Sequence, residues 1–313
     1  MNWFGAEMDG PMIVTRTVHF AASATMAGAL MFRDFVAGPA LRAVPVAGAR
    51  IDRQIRGIVW IGFAIAVASG LVWFCLQAAS MSGLGLGQAI TSGIVSIVVD
   101  ETQFGLVSEV RLILAIALAV CLVFDRIVLS RRLALAAAVC LVASIAWTGH
   151  AGSTPFELGY LHLASDALHL VAASAWIGGL VPFALLLNMA WRREGCSSTS
   201  LDAVRRFSTL GIASVAALIL SGGINTWILV GSFRGLIVTS YGQLLMLKLA
   251  AFTAMFALAA FNRLALTPRL TLSSEDALPG LALNTRIEII LGFSIFAMVG
   301  VLGTLHPASH LVK

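Results

Sequence analysis

Charged residues are scarce in this sequence. Asp, Glu, Lys and Arg make up 11% of the 313 residues, whereas ordinary water-soluble domains contain roughly 25%. With 59% hydrophobic residues, the chain has too few polar side chains to cover a soluble globule. The formal net charge of +5 does not indicate nucleic-acid binding, because basic residues in a membrane protein first report topology.

Cysteine is also rare, and its spacing excludes several kinds of site. The chain has four cysteines, and none forms a Cys-x-x-Cys pair, so neither a zinc knuckle nor a redox dithiol is supported. Three of them lie inside apolar runs, where free cysteine packs as a small hydrophobic residue. The absence of a Met-rich or Cys-rich tail leaves high-capacity metal storage unsupported.

Apolar runs of about 20 residues, the length that crosses a bilayer, recur along most of the chain. They predict an all-α polytopic membrane protein with the lipid bilayer as its surroundings. The eight predicted spans are 12–32, 57–79, 106–124, 133–149, 162–190, 207–230, 242–261 and 287–305.

The distribution of arginine predicts the orientation. Fifteen of the 20 basic residues lie in the loops that follow the first, third, fifth and seventh spans. Loops rich in Lys and Arg stay in the cytoplasm. We therefore expect a bacterial inner-membrane protein with both termini in the periplasm.

All six histidines are predicted to lie on or near the outward face, and none falls in a cytoplasmic loop. Histidine is the commonest metal ligand and titrates near neutral pH, and an ionisable group inside a span is a functional candidate. His162, Asp166 and His169 are spaced i, i+4, i+7, which places them on one helix face. This pattern predicts a metal site or a proton-handling site; the alternative is that each interfacial histidine simply contacts lipid headgroups.

The two halves of the chain resemble each other. HFAASATMAGAL begins at His19 and HLVAASAWIGGL at His169. Arg111-Leu112 and Lys248-Leu249 precede Phe-Asp-Arg and Phe-Asn-Arg at identical spacing. We predict two four-helix repeats, 1–156 and 157–313, that run in the same direction about an axis along the membrane normal.

The second half resembles the copper resistance D (CopD) family of membrane proteins. The resemblance is carried by LHLVAASAWIGGLVPFALL from Leu168, RRFSTLGIASVAALILSGGINTWILVG from Arg205 and TSYGQLLMLKLAAFTAMFALAAFNRLALTP from Thr239. The first half is similar in layout. The resemblance implies copper handling at or across the bacterial inner membrane, usually as uptake toward the cytoplasm, together with a periplasmic copper-binding protein and without catalysis.

Copper suits the outward side chains, because Cu(I) takes thioether and imidazole ligands and Cu(II) takes imidazole and carboxylate. We predict a copper site near the pseudo-axis, with His19 and His169 deepest and His150 and His306 above them. The predicted entry shell comprises His162, Asp166, His310 and Met81. Arg111 and Lys248 are either functional charges or structural ones that neutralise Glu109 or snorkel.

Two other functions fit parts of the pattern. A b-type cytochrome could hold haem between His19 and His169, although an electron path usually needs a second haem near the inner face, where no histidine lies. A purely structural membrane subunit would leave the outward bias of the histidines unexplained.

Overall fold

The computed structural model describes residues 10–191, 197–270 and 274–311, and in these ranges the chain forms helices and no strand. The first four long helices are α1 (Gly10–Phe32), α2 (Pro45–Ser82), α3 (Gln103–Val123) and α4 (Val128–Ala143). Helix α5 comprises Phe156–Ala173 and Gly179–Trp191, joined by a π-helical segment, Ser174–Gly178. The last three are α6 (Ser197–Val230), α7 (Ser240–Phe261) and α8 (Ser274–Leu302). The predicted all-α class is confirmed.

Seven helices in the described ranges, α2 to α8, are long and apolar enough to cross a membrane. Helix α1 has 23 residues, but Arg16 and His19 lower its mean hydropathy. Both side chains are buried, because α1 packs against α2, α4, α5 and α8. Helix α1 is therefore enclosed by protein more than by lipid, and the count of eight spans stays a prediction.

Three helices begin well before the predicted spans. Helix α2 starts at Pro45 instead of 57, α6 at Ser197 instead of 207, and α8 at Ser274 instead of 287. Treating the intervening arginines as loop residues was therefore wrong, since they lie on helical extensions. Hydropathy marks only the part of a helix inside the bilayer. At the start of α2, Pro45 suits a first turn because its missing N–H is not needed there.

Helices α1 and α5 cross at the centre of the bundle through two glycines. A Cβ atom on Gly28 would overlap the backbone of Ser174 and Gly178, and one on Gly178 would overlap the backbone of Ala24. Small residues let membrane helices approach this closely. The crossing lies nine residues after His19 on α1 and nine after His169 on α5. The two histidines are therefore equally far along their helices from the crossing.

Helices α3 and α7 begin with the same cap. The hydroxyl of Thr102 accepts a hydrogen bond from the Gly105 N–H at 2.9 Å, and that of Thr239 accepts one from the Gly242 N–H at 3.0 Å. Each cap satisfies an N–H that the helix itself cannot. Short helices precede both caps: Leu86–Thr91 and Ile94–Glu101 before α3, and Phe233–Val238 before α7.

Candidate metal centre

One face of α5 carries His162, Asp166 and His169, the three polar residues that their spacing placed together. Each lies within hydrogen-bond distance of a side chain outside α5. His169 Nδ1 lies 3.0 Å from the Ser221 hydroxyl of α6. The Asn225 amide of α6 donates to Asp166 Oδ1 at 3.1 Å, and His162 is only 1% exposed. The predicted common face is therefore confirmed, and it packs mainly against α6.

The hydrogen bonds of Ser221 determine which nitrogen of His169 carries the proton. A serine hydroxyl has one proton, and Ser221 donates it to the carbonyl of Ala217 at 2.6 Å. Ser221 can therefore only accept from His169, which places the proton of a neutral ring on Nδ1. The lone pair of Nε2 remains for a metal ion, as in metal sites where a partner fixes the tautomer of the ligand.

Asp166, which carries carboxylate oxygen atoms, lies one helical turn before His169 on α5. Asp166 is partly buried on the same face of α5. Asn225, which donates to Asp166, has a buried Oδ1 atom without a hydrogen-bond partner in the described structure. A buried acceptor without a donor costs free energy, and a cation satisfies it. His169, Asp166 and Asn225 are called the acceptor cluster below.

Two residues of α7 lie within electrostatic reach of the acceptor cluster. Lys248 interacts with Asp166 and His169, and the Tyr241 hydroxyl interacts with Asp166. The sequence left open whether Lys248 is a functional charge within the bundle or a structural one that neutralises Glu109 or snorkels to the surface. Its electrostatic interaction with Asp166 favours a role within the bundle, where its charge offsets that of a largely buried carboxylate.

A second group lies one turn toward the N-terminal end of α5. His162 Nδ1 is 2.7 Å from the Thr154 hydroxyl, and His162 interacts electrostatically with His150. The His150 ring packs edge-on against Tyr241 at 6.3 Å between centroids, and its Nε2 lies 3.5 Å from the Leu302 carbonyl. His150 and His162 therefore form a pair on the N-terminal side of Asp166.

His19 lies in a different environment, formed by the first half of the chain. Its Nδ1 contacts the carbonyl of Ala66 at 3.0 Å and the Ser69 hydroxyl at 3.2 Å. Its Nε2 is in hydrogen-bond contact with the guanidinium of Arg111. Guanidinium groups only donate, so the Nε2 lone pair is occupied, and His19 is not free to bind a metal in this conformation.

Arg111 lies within the bundle, and no contact with Glu109 is found in the described structure. It also donates to the Leu141 carbonyl at 3.1 Å and the Ser144 hydroxyl at 2.9 Å. These bonds join α3 to the end of α4 and to α1. The snorkelling alternative for Arg111 is therefore wrong, and its role in holding His19 was not visible in the sequence.

The structure does not bring all the predicted ligands together. Between His19 and His169 no hydrogen bond or ring contact exists. Met81 is exposed near the C-terminal end of α2, and His306 is exposed beyond α8. His310 ends a short turn, but its side chain lies outside the described residues.

No group of three or more His, Cys, Asp or Glu residues in the described ranges is already arranged to hold a metal ion. Cys75, Cys121 and Cys140 are free thiols, and Cys196 lies outside the described residues. Any metal bound at the acceptor cluster would therefore have to use the Asn225 oxygen, water or a side-chain movement in addition to His169 and Asp166.

Comparison with known proteins gives matches in both halves. A family model described as Copper resistance protein D matches residues 201–302, and one described as Copper resistance protein D-like, N-terminal domain, matches residues 7–160. No solved structure matches the chain.

Three characterised relatives are similar to this chain. Copper resistance protein D of Pseudomonas syringae pv. tomato is 31% identical over 67% of this chain and 70% of its own length. Inner membrane protein YebZ of Escherichia coli is 26% identical over 94% of this chain and 98% of its own length. Copper transport protein CutJ of Bacillus subtilis is 30% identical over 53% of this chain, which spans only 29% of CutJ. These names give no support to the haem alternative.

Proposed function

This chain belongs to the copper resistance protein D family, and from that premise we propose that it carries or delivers copper across the bacterial inner membrane. Copper is the cargo, and we place its binding site at the acceptor cluster. The observation that carries this proposal is the His169 ring, whose Nδ1 atom lies 3.0 Å from the Ser221 hydroxyl, which leaves the Nε2 lone pair for a metal ion.

The chemistry of the acceptor cluster fits copper. Imidazole binds both oxidation states, and a carboxylate favours Cu(II). Asp166 supplies a negative charge next to the cation, and the unpartnered Oδ1 of Asn225 supplies a neutral oxygen. The outer pair, His150 and His162, lies between the cluster and the outward end of α5, where it is positioned to pass copper inward from a periplasmic copper-binding protein.

We also propose that the chain is an internal duplication. Ser69 repeats the bonds of Ser221: each hydroxyl donates at 2.6 Å to the carbonyl four residues earlier, and each lies beside the Nδ1 atom of a histidine. Arg111 and Lys248 occupy corresponding positions, six residues after the capped glycines of α3 and α7. This correspondence supports the proposed division into the repeats 1–156 and 157–313.

The two halves differ at one decisive contact. Arg111 donates to His19 Nε2, whereas no hydrogen bond from Lys248 to His169 is found in the described structure. The longer Arg111 side chain thus occupies the Nε2 lone pair of His19, whereas the Nε2 lone pair of His169 stays available. We therefore assign the copper-binding role to the second half and a structural role to His19, and we give Met81, His306 and His310 at most a part in copper entry.

Removing the charge of Asp166 tests the proposed function. Purified protein titrated with copper against a competing chelator should bind one copper per chain at the acceptor cluster. Asp166→Asn should bind roughly 10–100-fold more weakly, the usual effect of altering a ligand's polar support. Glu109→Gln, an exposed carboxylate on α3, is the matched control and should keep the wild-type affinity.

Wild-type affinity in Asp166→Asn would show that the carboxylate takes no part. A Soret band in the visible spectrum of the purified protein would show that the histidines hold haem, and the copper proposal would then fail.

Reporter fusions test the orientation on which the proposal depends. Fusions after Arg53 and after Arg269 should both report the cytoplasm, because the basic residues concentrate in those segments. A periplasmic signal from either fusion would contradict the placement of the histidines on the periplasmic side.

A further inference from the structure

The inner end of the first half contains a cavity of about 600 Å³ lined by four arginines and two aspartates: Arg33, Arg42, Arg131, Arg132, Asp34 and Asp52. It is called the basic cavity below. It lies among the end of α1, the first turns of α2 and the first turns of α4, on the face that the arginine distribution assigns to the cytoplasm. It is separate from the acceptor cluster, which lies in the second half.

Buried ion pairs hold one side of the basic cavity in place. The side chain of Arg33 is 4% exposed, and its Nη1 atom lies 2.7 Å from Asp125 Oδ1. Its Nε atom lies 3.1 Å from Asp34. Arg131 approaches Asp125 at 3.7 Å and Asp52 at 3.8 Å. Both aspartates of the lining are therefore already paired.

Positive charge remains after these pairs are formed. The buried Nη2 atom of Arg33 has no hydrogen-bond partner in the described structure. Arg42 and Arg132 are exposed, and neither forms an ion pair with a described residue. One buried N–H donor group and two free guanidinium groups thus line this cavity, and such donors suit the oxygen atoms of a phosphate.

The surface beside the basic cavity indicates where that phosphate comes from. Val128 lines the cavity and is 68% exposed, and its neighbours Phe124, Ile127 and Leu129 are also exposed and apolar. A soluble anion would gain nothing from this surface. A phospholipid would place its headgroup in the cavity and its acyl chains along these side chains, and basic pockets on the cytoplasmic side of membrane helices bind such headgroups.

We propose that the basic cavity is a binding site for the phosphate headgroup of an anionic phospholipid of the inner leaflet. The lipid bridges the end of α1, the turn before α2 and the first turns of α4 by pairing with Arg33, Arg42 and Arg132. This site does not depend on copper binding, so the experiment that tests it is independent of the one that tests the proposed function.

Binding of phosphatidylglycerol to the detergent-solubilised protein tests this site, with phosphatidylcholine as the neutral comparison and native mass spectrometry as the readout. The wild type should retain phosphatidylglycerol in preference to phosphatidylcholine. Arg42→Gln with Arg132→Gln should weaken that binding by roughly ten-fold, since each basic group near the surface contributes several-fold. Arg126→Gln, which removes an exposed arginine outside the cavity, should bind as the wild type does.

Both altered arginines are exposed, so the double variant should unfold at the wild-type temperature when lipid is absent, and this measurement confirms that it is folded. Equal retention of the two lipids, or unchanged binding by the double variant, would overturn the proposal. Competition by inorganic phosphate at the same concentration as the lipid would show instead that the cavity takes a soluble anion, which would also overturn it.

Discussion

Replacing His169 by alanine should abolish copper binding while the protein still inserts and folds. The ring supplies the nitrogen lone pair at the acceptor cluster, and Asp166 and Asn225 alone offer only oxygen, which holds copper less well than imidazole does. We expect at least a 100-fold loss of affinity, of the order of 3 kcal/mol. Equilibrium titration of purified variants measures this loss directly.

His19→Ala is the matched control, because His19 occupies the corresponding position of the first half. Its Nε2 lone pair is engaged by Arg111, so this variant should keep copper affinity within a few-fold of the wild type. If His19→Ala loses binding as completely as His169→Ala, the two histidines form one site, as the sequence alone predicted. If both variants bind normally, copper is bound elsewhere.

Placing a methyl group at the crossing of α1 and α5 should cause a large loss of stability. In Gly178→Ala the new Cβ atom would overlap the backbone of Ala24, and neither backbone can move without separating the two central helices. Overpacking of this kind costs about 3 kcal/mol. Thermal unfolding in detergent should show a markedly lower midpoint for Gly178→Ala than for the wild type.

Gly57→Ala controls for the change of residue type. A Cβ atom at Gly57 would meet nothing within 4 Å, and alanine is favoured over glycine inside a helix by roughly 0.5–1 kcal/mol. This variant should be as stable as the wild type or slightly more stable. Equal midpoints for the Gly178→Ala and Gly57→Ala proteins would show that the central crossing is looser than described.

Much of the fold followed from hydropathy, because a membrane helix must satisfy its own backbone hydrogen bonds. Helical spacing also predicted that His162, Asp166 and His169 share one face, and the structure places them so. The starts of α2, α6 and α8 were missed because their first turns are polar and lie beyond the bilayer, where hydropathy carries no signal.

The partners of the histidines could not be derived from the sequence. Ser221 and Asn225 look like ordinary polar residues in an apolar helix, and only their position across from α5 shows that they orient His169 and support Asp166. Spacing likewise equates His19 with His169, but it cannot show that Arg111 reaches the Nε2 atom of one ring while Lys248 makes no such bond to the other. Contacts between helices decide which ring is engaged, and these contacts depend on how the helices pack.

Glu288 was also overlooked in the sequence. It is 2% exposed on α8 and accepts a hydrogen bond from the Asn262 amide at 2.8 Å. Asn262 in turn accepts from the Asn284 amide at 2.7 Å. A carboxyl group within an apolar span was a signal in itself, although the Asn262 amide that donates to it lies 26 residues away in the chain.

The central claim is that copper is bound by the imidazole of His169 with oxygen ligands, without sulfur. X-ray absorption at the copper edge of the loaded wild-type protein tests it most directly, with His169→Ala measured beside it. We predict nitrogen and oxygen neighbours at about 2.0 Å, by analogy with other imidazole–metal bonds, and loss of the imidazole signal in the variant. Sulfur neighbours at about 2.3 Å, or an imidazole signal that persists in His169→Ala, would contradict the claim.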